Sequence, residues 1–333
     1  MIRKYILVTV VCFTWIFGAY GQDLHYSQFF NSPLNVSPGL TGAFQGNQRL
    51  TANLRQQWKS VPVDYRSLDL AYDHKHAPTD STNNLNFGVI LNYDVAGDVN
   101  LKNTGLNMFV SYGLRLSEKL KVMPGVSIGF AQRRFDYASV TTGNQWDGRE
   151  FDPNIPAENI GAEDKSFVNL SAGLNLNYME SDRSYVDFGI GFNNLNSPSQ
   201  AFNTGATYDA VLARRFNIYG FGSIRVARKI DFIGNAILQN QAPAQEILLN
   251  GQAKIYIDRG LSKAVFLGIG LRAGDAWYPM AAIQYENIYV ALSYDVNNSP
   301  FDIATDGTGG PELAFRYTIA NVPLYPAKPC PIY

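Results

Sequence analysis

Three histidines are the first place to look for side-chain chemistry in this sequence. His74 and His76 follow Asp73 in an Asp-His-x-His run, which offers two nitrogen donors and one oxygen donor to a transition metal. No further ligand stands nearby, and a polar turn between two strands is the plainer reading of the run. His25 lies two residues before Ser27, a base beside a hydroxyl. A serine lies near almost any histidine, however, and neither a Gly-x-Ser-x-Gly elbow nor a phosphate-binding glycine loop accompanies this one. Asp147, Glu150, Asp152, Glu158, Glu163 and Asp164 carry oxygen ligands of the kind calcium takes. Their spacing matches no EF-hand loop, so a solvated acidic loop is the better reading. Trp146 and Phe151 sit in the same stretch. Aromatic residues in a polar loop are candidate contacts for a partner protein, and packing within the loop would explain them equally well. No catalytic, cofactor-binding or metal constellation emerges, and the expectation is a protein that is not an enzyme.

The elements that would position these residues are strands. In 168–178 the apolar side reads Val168, Leu170, Ala172, Leu174, Leu176, Tyr178, and the other side reads Asn169, Ser171, Gly173, Asn175, Asn177. Successive side chains of a strand point to opposite faces, so one face is greasy and the other wet. Fourteen segments of this kind are expected, over 49–58, 65–73, 85–94, 105–116, 122–135, 167–179, 185–193, 216–226, 230–239, 247–257, 265–273, 277–285, 288–295 and 312–319. An even number allows an antiparallel sheet to close. The connections sort by length: 117–119, 181–183, 227–229 and 286–287 are tight, whereas 136–166, 194–215 and 296–311 are long and fall on the alternate side. Short periplasmic turns and long extracellular loops are the habit of outer-membrane barrels. The fold expected is therefore all-β, a transmembrane antiparallel β-barrel of the bacterial outer membrane with about 14 strands.

Composition agrees. Arg3 and Lys4, an apolar run over 6–17 and Ala19-Tyr20-Gly21 read as a signal peptide over 1–21. No segment reaches the ~18 apolar residues of a membrane-spanning helix. Without the signal, 25 basic residues face 28 acidic ones and Cys330 is the remaining cysteine. That excludes a disulfide framework, and the lack of a basic block argues against nucleic acid. Twenty Tyr, twenty Phe and 29 Gly suit aromatic girdles around a crowded interior. Asp69, Arg115, Arg133, Asp187, Arg272 and Arg316 should point inward, because a charge facing lipid near the midplane costs ~2–4 kcal/mol. Residues 22–48, rich in turns, read as a periplasmic or plug segment ahead of a barrel over 49–320. Residues 321–333, with four prolines, read as a tail that cannot ladder as a strand.

Ordered linear motifs then resemble the PorP/SprF family of type IX secretion outer-membrane proteins of Bacteroidota. They begin with Gln22-Asp23-Leu24-His25-Tyr26-Ser27-Gln28-Phe29-Phe30-Asn31-Ser32-Pro33-Leu34 and Asn35-Val36-Ser37-Pro38-Gly39-Leu40-Thr41-Gly42. Arg55-Gln56-Gln57-Trp58, Asp94-Val95-Ala96-Gly97-Asp98, Gly129-Phe130-Ala131-Gln132-Arg133 and Asn194-Leu195-Asn196-Ser197-Pro198 follow. Leu271-Arg272-Ala273-Gly274-Asp275-Ala276, Ser293-Tyr294-Asp295-Val296-Asn297, Gly309-Gly310-Pro311-Glu312 and Cys330-Pro331 complete the set. Pro38-Gly39-Leu40 departs from the family's usual Pro-Ala pair. The resemblance implies a component of the type IX secretion and gliding machinery. Its implied partners are a secreted adhesin, held through a type IX C-terminal domain, and periplasmic and motor components, in contact with outer-membrane lipid. It implies no cofactor. A porin or transporter for small or hydrophobic solutes remains the alternative, and a membrane-embedded hydrolase stands behind both.

Overall fold

The computed structural model describes residues 26–57, 65–76, 83–97, 100–136, 141–156, 158, 163–202, 210–299 and 307–320. The signal peptide, His25 and the proline-rich tail with Cys330 lie outside the described residues. Fourteen antiparallel strands close into one barrel. They are β1 (Gln48–Gln57), β2 (Tyr65–His76), β3 (Asn84–Ala96), β4 (Leu101–Arg115), β5 (Leu120–Arg134), β6 (Asp164–Ser181) and β7 (Ser184–Asn193). The second half holds β8 (Arg215–Ala227), β9 (Ile230–Gln241), β10 (Ala244–Tyr256), β11 (Lys263–Arg272), β12 (Ala276–Tyr285), β13 (Ile288–Asn297) and β14 (Thr308–Ile319). Each strand pairs with its chain neighbours, and β1 pairs with β14 to close the wall, Gln48 opposite Ile319 and Arg55 opposite Glu312. Closure leaves no unpaired strand edge, which a sheet in hydrocarbon requires.

The alternation expected of β6 holds across the barrel. Val168, Leu170, Leu174, Leu176 and Tyr178 are exposed on the outer wall, while Ser171 and Asn175 are buried. Leucines, valines, isoleucines and aromatics make up the same exposed band on the other strands. No helix is long and apolar enough to cross a membrane among the described residues; the strands do the crossing.

The long connections, 135–163, 194–214 and 298–307, share one end, here called the loop side. The tight turns 116–119, 182–183, 228–229 and 286–287 share the other. The sorting has exceptions. The loop side also carries the two-residue connection Ala242–Pro243, where a connection over 240–246 was expected. The ladder simply continues there, Asn240 opposite Gln245 and Gln241 opposite Ala244. On the turn side, 257–262 is longer than its neighbours because Asp258 organises it. Its carboxylate accepts the Lys263 N–H at 2.9 Å and the Ser262 N–H and hydroxyl at 3.1 and 2.9 Å.

Inside the wall runs the chain ahead of β1. A 3-10 turn (Phe29–Asn31), one helical turn (Pro33–Val36) and a second 3-10 turn (Pro38–Leu40) fold it into a compact path. Pro33 and Pro38 each open a turn, where a missing N–H costs nothing. Residues 26–42 are buried almost without interruption, and they bond to β2, β7, β13 and β14 in turn. A segment with partners around the whole circumference occupies the lumen. The apolar core lies here too: Phe29, Val36 and Leu40 pack on Tyr219, Ile237 and Leu248 of the wall.

Candidate functional site

The filled lumen is where sequence-distant polar residues converge. Arg55, Asp295 and Glu312 sit at inward positions of β1, β13 and β14, and Arg272 at the loop-side end of β11; all four are buried. Arg55 Nη2 contacts Asp295 Oδ2 at 2.7 Å and its Nε lies 3.7 Å from Glu312 Oε2, while Arg272 Nη2 reaches the same Asp295 oxygen at 3.5 Å. Buried ions persist only when paired and hydrogen-bonded, and the N-terminal segment supplies the missing bonds. The Ser27 and Gln28 N–H groups donate to the two Glu312 carboxylate oxygens at 2.8 Å each. The Ser27 hydroxyl donates to Asp295 at 2.7 Å and accepts from Arg272 at 2.7 Å, and its carbonyl accepts from Tyr278 at 2.7 Å. Gln28 Nε2 donates to Ser293 Oγ and to the Glu312 carbonyl, both at 2.9 Å.

Midway down, Ser32 donates to Asp69 Oδ2 at 2.6 Å, and Asn53 donates to Asp69 Oδ1 at 2.8 Å and to the Asn31 carbonyl at 3.2 Å. Asn35 and Asn92 exchange amide bonds of 3.1 and 3.0 Å. Arg215 and Asn217 donate to the Asn35 and Val36 carbonyls at 2.7 Å each. At the turn-side end the Gly42 N–H donates to Asp73 Oδ2 at 2.9 Å, and Arg49 grips the same carboxylate with Nε at 2.9 Å and Nη2 at 2.7 Å. The wall also yields space. A Cβ on Gly125 would stand 2.3 Å from the Pro38 carbonyl oxygen, and one on Gly191 2.5 Å from that of Val36. The departure at Gly39 has the same cause, since a Cβ there would meet the Asn175 N, Leu174 C and Met123 O backbone atoms at 2.8–2.9 Å.

Of the charges expected to face inward, Asp69, Asp187 and Arg272 are buried in the lumen and Arg133 and Arg316 are half-buried. Arg115 has inward parity, but its guanidinium caps the turn, donating to the Ser117 and Glu118 carbonyls at 3.1 Å each. The structure separates Asp73 from His74 and His76: Asp73 faces the lumen and holds Arg49, whereas the two imidazoles lie on the outer face 6.4 Å apart. Period two alone forces that split. Three of the six acids make local bonds. Asp147 accepts the Glu150 and Arg149 N–H groups at 2.8 and 2.7 Å, which hold its carboxyl below the usual range. Asp152 accepts from Asn154, and Asp164 from Gln132. Among the described residues no group of three or more potential ligands could hold a metal.

Trp146 and Phe151 pair across a small antiparallel bridge in this loop and remain 55% and 44% exposed. Gln145, next to Trp146, is buried; its Nε2 donates to the Ile155 carbonyl and its carbonyl accepts from the Asp152 N–H, both at 2.8 Å, so the two rings ride on an ordered hairpin. The roles of Arg55, Asp295 and Glu312 escape sequence reasoning. Inward parity was the available signal, and it does not say what they face.

A model of the family "Type IX secretion system membrane protein PorP/SprF" matches residues 18–317. The chain belongs to this family. It is accordingly an outer-membrane β-barrel of the type IX secretion system. No curated protein sequence matches the chain. Among solved structures, the CymD monoaromatic hydrocarbon channel is 9% identical, with a TM-score of 0.49, covering 87% of this chain and 93% of that one. The Ralstonia pickettii toluene transporter TbuX is 9% identical, with a TM-score of 0.48, covering 85% and 92%. The translocator domain of the autotransporter NalP from Neisseria meningitidis is 10% identical, with a TM-score of 0.43, covering 88% and 96%.

Proposed function

We propose that this PorP/SprF barrel is a non-enzymatic docking component, which anchors or assists export of a partner surface adhesin through the adhesin's C-terminal domain. Family membership supports the link to the machinery. The observation that carries the docking role is the lumen held shut at both ends, by Glu312, Asp295 and Arg272 on the loop side and by Asp73 on the turn side. Such a barrel offers surfaces rather than a passage. On the loop side the exposed Trp146 and Phe151 pair is the surface for the adhesin, since aromatic anchors dominate binding energy at interfaces. Periplasmic and motor components would meet the turns. Replacing 141–156 by a short Gly-Ser linker should leave the barrel heat-modifiable on a gel and remove the adhesin from the cell surface. Normal adhesin display would refute the docking role of this loop.

A porin or transporter of hydrophobic solutes is the second reading, and one observation favours it. A groove of about 640 Å³ lies on the β7–β12 wall, where Gly222, Gly234 and Gly251 stand side by side in register. Val186, Leu249, Ile269, Leu271 and Trp277 border it. A steady, large single-channel conductance from the intact purified chain would favour this reading over docking.

A further inference from the structure

The turn-side mouth of the lumen carries more positive charge than its own carboxylates balance. Arg49 is matched by Asp73 and Arg183 by Asp231. Lys75, Lys121, Lys254 and Arg316 occupy inward positions beside them, all half-buried. Among the described residues none of these four has a carboxylate at ion-pair distance. Lys75 Nζ donates to the Phe44 carbonyl at 2.6 Å and lies 5.0 Å from that ring's centre. Lys254 lies 4.7 Å from the Tyr256 ring and 5.3 Å from that of Phe266, and the Arg316 guanidinium lies 4.3 Å over Tyr289. Ring faces hold a cation in place without neutralising it. These charges act on one another: Lys75 feels Lys121 and Arg49 as well as Asp73 and Asp187, and Lys254 feels Arg316 and Arg183 as well as Asp231. Asp187 is a further acid on this side, and Asn175 and Asn177 already donate to it at 2.7 and 2.9 Å.

Like charges gathered in a concave, low-dielectric mouth focus a field that draws in the opposite charge. We infer that this mouth accepts an acidic, extended peptide segment of a periplasmic protein. The cations point into the lumen, away from the lipid that meets the outer wall, so phospholipid headgroups do not reach them. The lumen above is filled by residues 26–42, and at the rim the Gln45 amide donates to the Asp182 carbonyl at 2.6 Å. An occupant must therefore enter and stop, which suits a tethered segment better than a solute in transit. This assignment stands on the charges of the mouth and does not need the adhesin reading.

The test uses the full chain in detergent and a fluorescein-labelled decaglutamate peptide, read by anisotropy. Saturable binding that weakens with added salt is expected. The triple variant Lys75→Gln, Lys121→Gln, Lys254→Gln should bind about tenfold more weakly, at roughly a factor of two for each exposed ion pair. The matching Lys→Arg triple should bind like the unaltered chain, and so should Lys102→Gln on the loop side. Should the Gln triple lose its heat-modifiable migration, Lys121→Gln alone is expected to weaken binding about twofold. Undiminished binding in the Gln variants, or no saturable binding by the unaltered chain, would overturn the inference. Equal occupation by inorganic phosphate or phosphatidylglycerol vesicles would overturn the choice of a peptide.

Discussion

Replacing Glu312 by Ala should destabilise the barrel by about 3–5 kcal/mol, the range for breaking a buried charge pair. The figure follows from what its carboxylate does. It accepts two buried backbone N–H groups, those of Ser27 and Gln28, at 2.8 Å each. Each donor left without an acceptor costs about 1–3 kcal/mol. Arg55, 3.7 Å away and buried, loses this carboxylate and keeps Asp295. Glu312→Gln has the same shape but keeps a single acceptor oxygen and turns an NH2 toward the second donor. It should therefore lose about half as much, on the order of 2 kcal/mol. Urea titration of barrels folded in lipid vesicles, followed by loss of heat-modifiable migration, measures the difference. Protease access to residues 26–31 reports whether the segment itself has come loose. An Ala variant within about 0.5 kcal/mol of the unaltered chain, the range of an ordinary surface change, with the segment still protected, would refute the reasoning.

Deleting residues 26–42 should turn a non-conducting barrel into an open pore in planar bilayers; unchanged conductance would mean the segment does not close the lumen. Gly125→Ala drives a methyl to 2.3 Å from the Pro38 oxygen and should cost about 1–3 kcal/mol as overpacking. Gly143→Ala, with nothing within 4 Å of its new methyl, should be neutral in the same urea assay. The Asp258 carboxyl, held by the Lys263 N–H and then by Ser262, is lowered to about 2. A lowered carboxyl stabilises its turn above the unfolded value of about 4, and that contribution fades as pH falls through the folded value. A carbon-13 titration of Asp258 should show its midpoint about 2, and a midpoint near 4 would show the turn unformed.

What could be read from the chain followed from strict periodicity. Strand β6 announces both of its faces in the order of Leu170, Ser171, Leu174 and Asn175, because hydrocarbon on one side and a polar interior on the other punish every slip of register. Inward charges such as Asp69 and Arg272 could be placed by parity. The N-terminal route could not. Ser27 to Thr41 have no repeating pattern, and their partners lie as far away as Asp295 and Glu312. Motif and composition describe neighbours in sequence, whereas this segment is specified by side chains across the barrel. The connection between β9 and β10 is shorter than its residue types suggest, for a related reason. Asn240, Gln241, Ala244 and Gln245 look like loop residues, yet main-chain pairing carries them into the ladder. The Asp73-His74-x-His76 run shows the reverse: it looks like a ligand set in one dimension, and the pleat divides it.

The bonds to the N-terminal segment straddle the β1–β14 seam. Asn53 on β1 donates to the Asn31 carbonyl, and Glu312 on β14 accepts from Ser27 and Gln28. Arg55 and Glu312 are themselves opposite one another across that seam. An empty barrel would zip its final pair of strands around a buried Glu312 carboxylate that lacked its two N–H donors. One already wound around its leading residues closes on satisfied groups. Seam and lumen are thus energetically coupled: the strand pair that closes the circle is also the one that holds the leading residues in place.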